Sequence, residues 1–415
     1  MRRYGFIWIV MAIMAAIDFY VYQALKFVIQ GASPKAKLVI SIFYWSISIG
    51  ALLLLVLLIL TAGDLFPRIV RTYVLATILG LFFAKIFACI FFLIDDIRRL
   101  VQWGTGLLFF RNTEGENISG DGISRSVFLS WLGLGVGGSL FGTLVYGFTN
   151  KYNYQLRKVR LSFDNLPSSF RGLKILHFSD VHSGSFTNKH AVEKGVEEIL
   201  KEGPDLILFT GDLVNDRALE MKDYMDVFGR LKAPLGVYST LGNHDYGDYV
   251  VWDSQEEKHR NLNHLKQIHG QLGWRLLMNE HVVLERNGDR IALIGIENWS
   301  AKARFPKHGK MNLAYPGAEQ YPFKILMSHD PSHWDAEVRP KYRDIDLTLA
   351  GHTHGMQFGV EIPGFKWSPV QYVYRQWAGL YEEGKQKLYV NRGFGFIGYP
   401  GRVGILPEIT VIELT

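Results

Sequence analysis

The chain of 415 residues carries 45 Lys and Arg against 39 Asp and Glu, a formal charge of +6. That excess could suit nucleic acid, but no Lys/Arg stripe interleaved with stacking aromatics occurs, so no nucleic-acid partner is expected. The single cysteine, Cys89, excludes a disulfide framework.

The hydrophobic share of 48% averages an apolar first third with an ordinary soluble remainder. Four apolar stretches, residues 4–25, 38–62, 72–94 and 127–149, are 22 to 25 residues long. Each is long enough to cross a hydrocarbon core of about 30 Å as a helix. No convincing small-x-small cleavage site follows the first, so residues 1–150 are expected to form an all-α transmembrane region of four helices. Asp18 and Lys85 stand 14 and 13 positions into the first and third stretches. Odd-numbered spans run in the same direction, so both residues reach a depth of about 20 Å and could pair there. A pair that fixes packing is expected ahead of a transport role. In the fourth stretch, Gly133, Gly137, Gly138 and Gly142 form two small-xxx-small pairs, suited to close helix approach or a dimer contact.

Charge asymmetry decides little about orientation. Arg2, Arg3, Arg68, Arg71, Lys151, Arg157, Lys158 and Arg160 face seven basic residues on the other side, among them Arg98, Arg99 and Arg111. The cluster from Lys151 to Arg160, beside the last span, places the remainder of the chain in the cytoplasm. It also suits anionic lipid head groups. The expectation is a multi-pass protein of a bacterial cell membrane, with residues 151–171 as a juxtamembrane linker and a second domain at 172–415.

That second domain alternates strand-like runs with polar blocks. Asp180-Val181-His182 follows Leu173 to Ser179, and Gly211-Asp212 follows Leu206 to Thr210. Gly242-Asn243-His244-Asp245, His329 and Gly351-His352-Thr353-His354 each close a further apolar run. Amphipathic helices are expected at Lys189 to Lys201 and Arg217 to Leu231, and strands at Arg290 to Ile296, Lys387 to Asn391 and Ile405 to Leu414. Ligands of open α/β folds lie beyond the carboxyl ends of strands, so these blocks mark a site. Hard divalent ions favour oxygen and imidazole suits iron and zinc, so a mixed Asp/His/Asn set points to a centre of two divalent ions. Such a pair can activate water and clamp the oxygens of a phosphoryl group during displacement.

The order D-x-H, G-D, G-N-H-D, H and G-H-x-H resembles the signature of the calcineurin-like metallophosphoesterases. The resemblance covers residues 172–415 and implies an α/β fold, an αββα sandwich of two mixed sheets. It implies that Asp180, His182 and His354 hold one metal, that Asp212 bridges, and that Asn243, His329 and His352 hold the other. His244 resembles the family's general acid, with Asp245 as its orienting partner or a cap. The implied cofactors are two divalent ions, Mn²⁺ first, with Fe, Zn or Mg as alternatives. The implied activity is hydrolysis of a phosphomonoester, phosphodiester or pyrophosphate. Membrane anchoring suggests a lipid-linked phosphate or a nucleotide-diphosphate lipid, and membrane lipids as partners. Two alternatives stand beside it: a receptor or scaffold that binds metal without turnover, and a transporter built on Asp18 and Lys85.

Three further features invite roles. Phe358 to Tyr381 holds Phe365, Trp367, Tyr372, Tyr374, Trp377 and Tyr381, and reads either as an apolar lip for a lipid-linked phosphate or as plain core packing. His259, His264 and His269 lie at a spacing that fits no single helical face, so a solvated helix is expected there rather than a third metal. Arg392, in Asn391-Arg392-Gly393 after a strand, is a candidate to bind substrate phosphate, or else a salt-bridge partner.

Overall fold

A computed structural model of the chain describes residues 2–61, 66–109, 125–302, 305 and 307–415. They fall into two compact units, residues 1–146 and 147–415. Arg111 and the Ala62 end of the second predicted span lie outside the described residues.

Four helices, α1 (Arg2–Val28), α2 (Pro34–Leu60), α3 (Arg68–Phe109) and α4 (Arg125–Gly147), form the first unit. All four are long and apolar enough to cross a membrane. Ser33 caps α2 by accepting from the Ala36 amide, and Pro34 opens the helix where a missing N–H costs nothing. α3 runs well past the expected Ile94. The charges that end its apolar stretch pair along the helix, Arg98 with Asp95 at 2.8 Å and Arg99 with Asp95 at 3.3 Å, so the ladder continues through them. Asp18 and Lys85 meet as expected. The Asp18 carboxylate bonds Lys85 and accepts from Ser48 at 2.8 Å, while Lys85 donates to Ser48 at 2.9 Å. A β-carbon at Gly133 would lie 2.9 Å from Ala88 O, and one at Gly137 would lie 2.9 Å from Ala84 O. These two glycines therefore let α4 approach α3, whereas Gly138 and Gly142 face open space.

The second unit holds strands β1 (Gln155–Leu161), β2 (Lys174–Phe178), β3 (Leu206–Phe209), β4 (Val237–Ser239), β5 (Arg275–Leu276), β6 (Glu280–Arg286) and β7 (Asp289–Gly295). They continue with β8 (Lys324–Met327), β9 (Leu347–Ala350), β10 (Val360–Ile362), β11 (Phe365–Trp367), β12 (Gly379–Glu383), β13 (Gln386–Val390) and β14 (Glu408–Leu414). One six-stranded sheet has the order β1-β14-β2-β3-β4-β5 and the other β12-β13-β9-β8-β7-β6. Both sheets are mixed, as expected: β2 to β5 are parallel, and so are β13, β9, β8 and β7, while β14 runs antiparallel to β2, β12 to β13 and β6 to β7, and β1 pairs parallel with β14.

Side-chain alternation builds the layers. Leu206 and Leu208 of β3 point between the sheets with Ile325, Met327, Leu347 and Leu349. Ile207 and Phe209 point outward against α5 (Lys189–Lys201), which buries Val192, Val196 and Ile199. On the far face Ile294, Leu326 and Val390 pack against Trp334 and Val338. The result is a helix, sheet, sheet, helix sandwich. Truncating one of these fully buried leucines to Ala would cost about 2–5 kcal/mol.

The helix expected at Arg217 to Leu231 does not form as one piece. Ala218–Tyr224 is a 3₁₀ segment and only Met225–Phe228, α6, is α-helical. Tyr224 breaks the ladder with φ −122°, its ring held against Phe186 at 5.2 Å. Gln255–Gln271, α7, forms the expected helix, capped by Ser254. His259 and His264 are exposed on it, while His269 is buried beside Trp274.

Candidate metal centre

Six parallel strands, three from each sheet, deliver their carboxyl ends to one edge. β2 leads into Asp180, β3 into Asp212, β4 into Asn243, β8 into His329, β9 into His352 and His354, and β13 into Arg392. The loops there turn sharply. Nine non-glycine residues among those described have positive φ, and five of them are Asp180, His182, Asp212, His352 and His354. Each such conformation costs on the order of 1 kcal/mol, and the concentration of that cost marks a functional site. Glycines let the turns close up: a β-carbon on Gly242 would sit 2.2 Å from Asp212 Oδ1, and one on Gly351 would sit 2.2 Å from Asp180 Oδ2.

Two groups of ligand-type atoms result, Asp180/His182/His354 and Asp212/His329/His352, each with its atoms within 4.8 Å of one another. In the first, His182 Nε2 and His354 Nε2 are 3.0 Å apart and Asp180 Oδ1 is 3.2 Å from His354 Nε2. In the second, His329 Nε2 is 3.1 Å from Asp212 Oδ2, and Asn243 Oδ1 is 2.8 Å from His352 Nδ1. Asp212 Oδ2 is also 3.6 Å from His182 Nε2, so this carboxylate faces both groups. All seven residues of the sequence-derived set are thus brought together.

The donors fit divalent cations. His329 gives its Nδ1–H to Thr210 O at 2.7 Å, which leaves Nε2 buried and facing inward, 3.1 Å from Asp212 Oδ2. Burial holds the rings of His182, His352 and His354 below their ordinary pKa, so they stay neutral and keep a lone pair. Burial also disfavours charge on His329, but the Asp212 carboxylate overrides it and lifts that ring to about 10. A cation beside Asp212 would replace that proton.

At two positions the structure chooses between readings that the sequence leaves open. Asp245 does not orient His244: its carboxylate accepts from the amides of Asp212, Leu213 and Gly242 at 2.8 Å and of Val214 at 3.3 Å. It fastens the β3 and β4 loops together instead. The half-buried His244 ring is set by Asn215, whose carbonyl accepts from Nδ1 at 2.8 Å. Arg392 is committed to carboxylates, bonding Glu408 and meeting Glu361 at 2.8 and 3.1 Å, so its guanidinium serves a buried salt bridge rather than a phosphate. Four further residues contribute that the sequence does not assign to the metal site. The Tyr249 ring packs at a tilt against His244 with centroids 4.4 Å apart, and its hydroxyl accepts from Asn243 Nδ2 at 2.8 Å, which turns Asn243 Oδ1 towards His352. Tyr374 and Asp330 lie 2.8 and 3.4 Å from His352 Nε2 and leave Nδ1 to face Asn243. Arg402, fully buried, donates to the carbonyls of His354, Arg392, Gly393 and Gly395.

Residues 173–356 match the family model described as calcineurin-like phosphoesterase, and residues 1–151 match the one described as probable calcineurin-like phosphoesterase, transmembrane domain. The chain belongs to the calcineurin-like metallophosphoesterases. It is a metal-dependent phosphoric ester hydrolase of their membrane-anchored branch. A transmembrane protein with metallophosphoesterase domain from Danio rerio is 29% identical over 344 residues, 80% of this chain and 70% of its own length. Phosphodiesterase YaeI from Escherichia coli is 28% identical over 263 residues, 63% of this chain and 88% of its own. UDP-2,3-diacylglucosamine pyrophosphatase LpxG from Chlamydia trachomatis is 29% identical over 293 residues, 58% and 84% of the two chains.

Proposed function

We propose that this metallophosphoesterase hydrolyses a phosphodiester or pyrophosphate bond in a lipid-linked substrate at a dinuclear centre. In this reading Asp180, His182 and His354 would hold one ion, Asn243, His329 and His352 would hold the other, and Asp212 would serve both. The observation that carries it is Asp212 Oδ2, which faces His182 of one group and His329 of the other. Two divalent ions bound there, Mn²⁺ first, would supply the charge that neutralises a phosphoryl group and acidifies water. The protein's own part is orientation and proton supply. Asn215 O fixes the His244 ring through Nδ1–H, so Nε2 is the nitrogen that hands a proton to the leaving oxygen. Asp245 and Asp330 hold the loops and the His352 ring in place for that step. The lipid-linked substrate is supported by the four apolar helices and by the likeness to LpxG, a UDP-2,3-diacylglucosamine pyrophosphatase. Four spans in a bacterial cell membrane, with the domain in the cytoplasm, complete the proposal.

The test uses the full chain, purified in detergent and loaded with Mn²⁺, acting on an aryl phosphodiester. Asp212→Asn should fold, bind less metal and lose turnover. Undiminished hydrolysis by that variant would refute the assignment. Mass spectrometry of lipids that accumulate when Asp212 is disabled would identify the substrate.

A further inference from the structure

Among the described residues of the second unit, eleven large hydrophobic side chains are exposed, and six of them fall between positions 356 and 373. Met356, Val360, Ile362, Phe365, Tyr372 and Val373 are 44% to 78% exposed, close beside the His352 and His354 loop. Scattered exposed apolar residues are ordinary, but a cluster of this kind marks a surface that meets something apolar.

Local structure explains how the cluster is presented. β10 and β11 form a two-stranded hairpin that belongs to neither large sheet, with Val360 opposite Trp367 and Ile362 opposite Phe365. Its turn is Pro363-Gly364, with Gly364 at φ +78°, so Ile362 and Phe365 flank the tip. The base is firmly held: Ser368 donates to Gly355 O at 2.8 Å and Thr353 donates to Trp377 O at 2.7 Å. Beneath it Val370, Tyr374, Trp377, Ala378 and Ile405 form a small core of their own. The two readings of this aromatic segment therefore divide by residue, with Tyr374 and Trp377 packed inside and Phe365 and Tyr372 facing out.

We infer that the Val360–Trp367 hairpin, with Met356, Tyr372 and Val373, is a membrane-interfacial surface that seats beside the lipid head groups next to the metal loop. The occupant is lipid for three reasons. The composition is that of an interfacial anchor, with aliphatic tips, aromatics with polar edges, and exposed Lys366 and Arg375 among them. Only residues 148–154 separate α4 from β1, a tether of at most about 25 Å that keeps the domain within reach of lipid whichever way it faces. The hydrogen bonds from Thr353 and Ser368 tie this surface to the loop that carries His352 and His354, so a molecule drawn from lipid here arrives beside the ligand groups. That last consequence rests on the function proposed above; the seating itself does not.

The experiment separates the two. The full chain, with Cys89→Ser and a single new cysteine at 365, 372 or the exposed control Lys201, is labelled with a fluorophore in nanodiscs of phosphatidylglycerol and phosphatidylcholine. Brominated acyl chains should quench labels at 365 and 372 several-fold more than the label at 201, and iodide should do the reverse. Equal accessibility to iodide at all three positions, or cross-links at 365 between copies of the chain in place of lipid quenching, would overturn the inference. With Ile362→Ser and Phe365→Ser combined, KM for a lipid-linked pyrophosphate should rise about tenfold or more, while an aryl phosphodiester is cut at the unaltered rate. Equal loss on both substrates would sink the link to substrate entry. Lipid quenching that persists in a chain inactive on every phosphoester would retain the seating and reject the function.

Discussion

Each unit buries ionisable groups, but one cluster pairs opposite charges and the other gathers ligand-type atoms. In the helical unit Asp18, Lys85 and Ser48 bond one another, so opposite charges meet within the protein. In the domain, the nitrogens of His182, His329 and His354 turn towards carboxylates and towards each other, so several ligand-type atoms converge. A buried charge is tolerable only when paired or bound to metal, so the first cluster reads as packing and the second as a ligand site. Burial of charge is therefore not by itself a sign of function; the convergence of several ligand-type atoms is the stronger sign.

The comparison can be broken in several ways. Asp212→Asn should lower phosphodiester turnover by about a thousandfold or more, the scale of removing a central electrostatic group, with metal content by mass spectrometry falling alongside. Lys85→Met should cost about 3–5 kcal/mol, because Asp18 is left buried and unpaired, whereas Asp18→Leu with Lys85→Met should melt near the parent in detergent. A stable double variant that loses turnover would show that the Asp18–Lys85 pair has a function after all. Arg392→Met should act in the same manner inside the domain, lowering the melting temperature through Glu408 while KM stays constant; a raised KM with unchanged stability would restore its role in substrate binding.

A further effect is acid sensitivity. Burial lowers His177 to about 4 and His269 to about 3. Above the ordinary value near 6.5 both rings are neutral folded or unfolded, and they add no pH dependence. Below it the unfolded rings take protons that the folded ones refuse. Stability should therefore fall by about 1.4 kcal/mol per pH unit for each ring, down to about pH 4 for His177 and about pH 3 for His269. Thermal melts of the full chain from pH 7 to 4.5 would check the slope, and His269→Phe should reduce it.

Much of this molecule was legible before its fold was known. Helix α5 and strands β7 and β13 stand within a residue or so of their expected ends, because periodicity is a local property. Residues 217–231 were misread because the apolar period there says nothing of the kink at Tyr224, which packs on Phe186 from another loop. Asp245 shows the same limit at the site. Its neighbour His244 suggested a dyad, yet its partners are the amides of Asp212, Leu213 and Val214, some thirty residues earlier.

The sequence alone determined the apolar lengths, the strand-end placement of Asp180, Asp212, Asn243, His329, His352 and His354, and the class of chemistry those side chains can perform. These follow from residue type and spacing, which are fixed along the chain. Only the tertiary structure decided that Asp212 faces both ligand groups, that Arg392 is spent on Glu361 and Glu408, that Tyr249 and Tyr374 orient Asn243 and His352, and that the hairpin tip at Ile362 and Phe365 faces outward. Each of these depends on which distant segment supplies the hydrogen-bond partner or withholds the cover, and that is settled only when both sheets and their loops close on one edge.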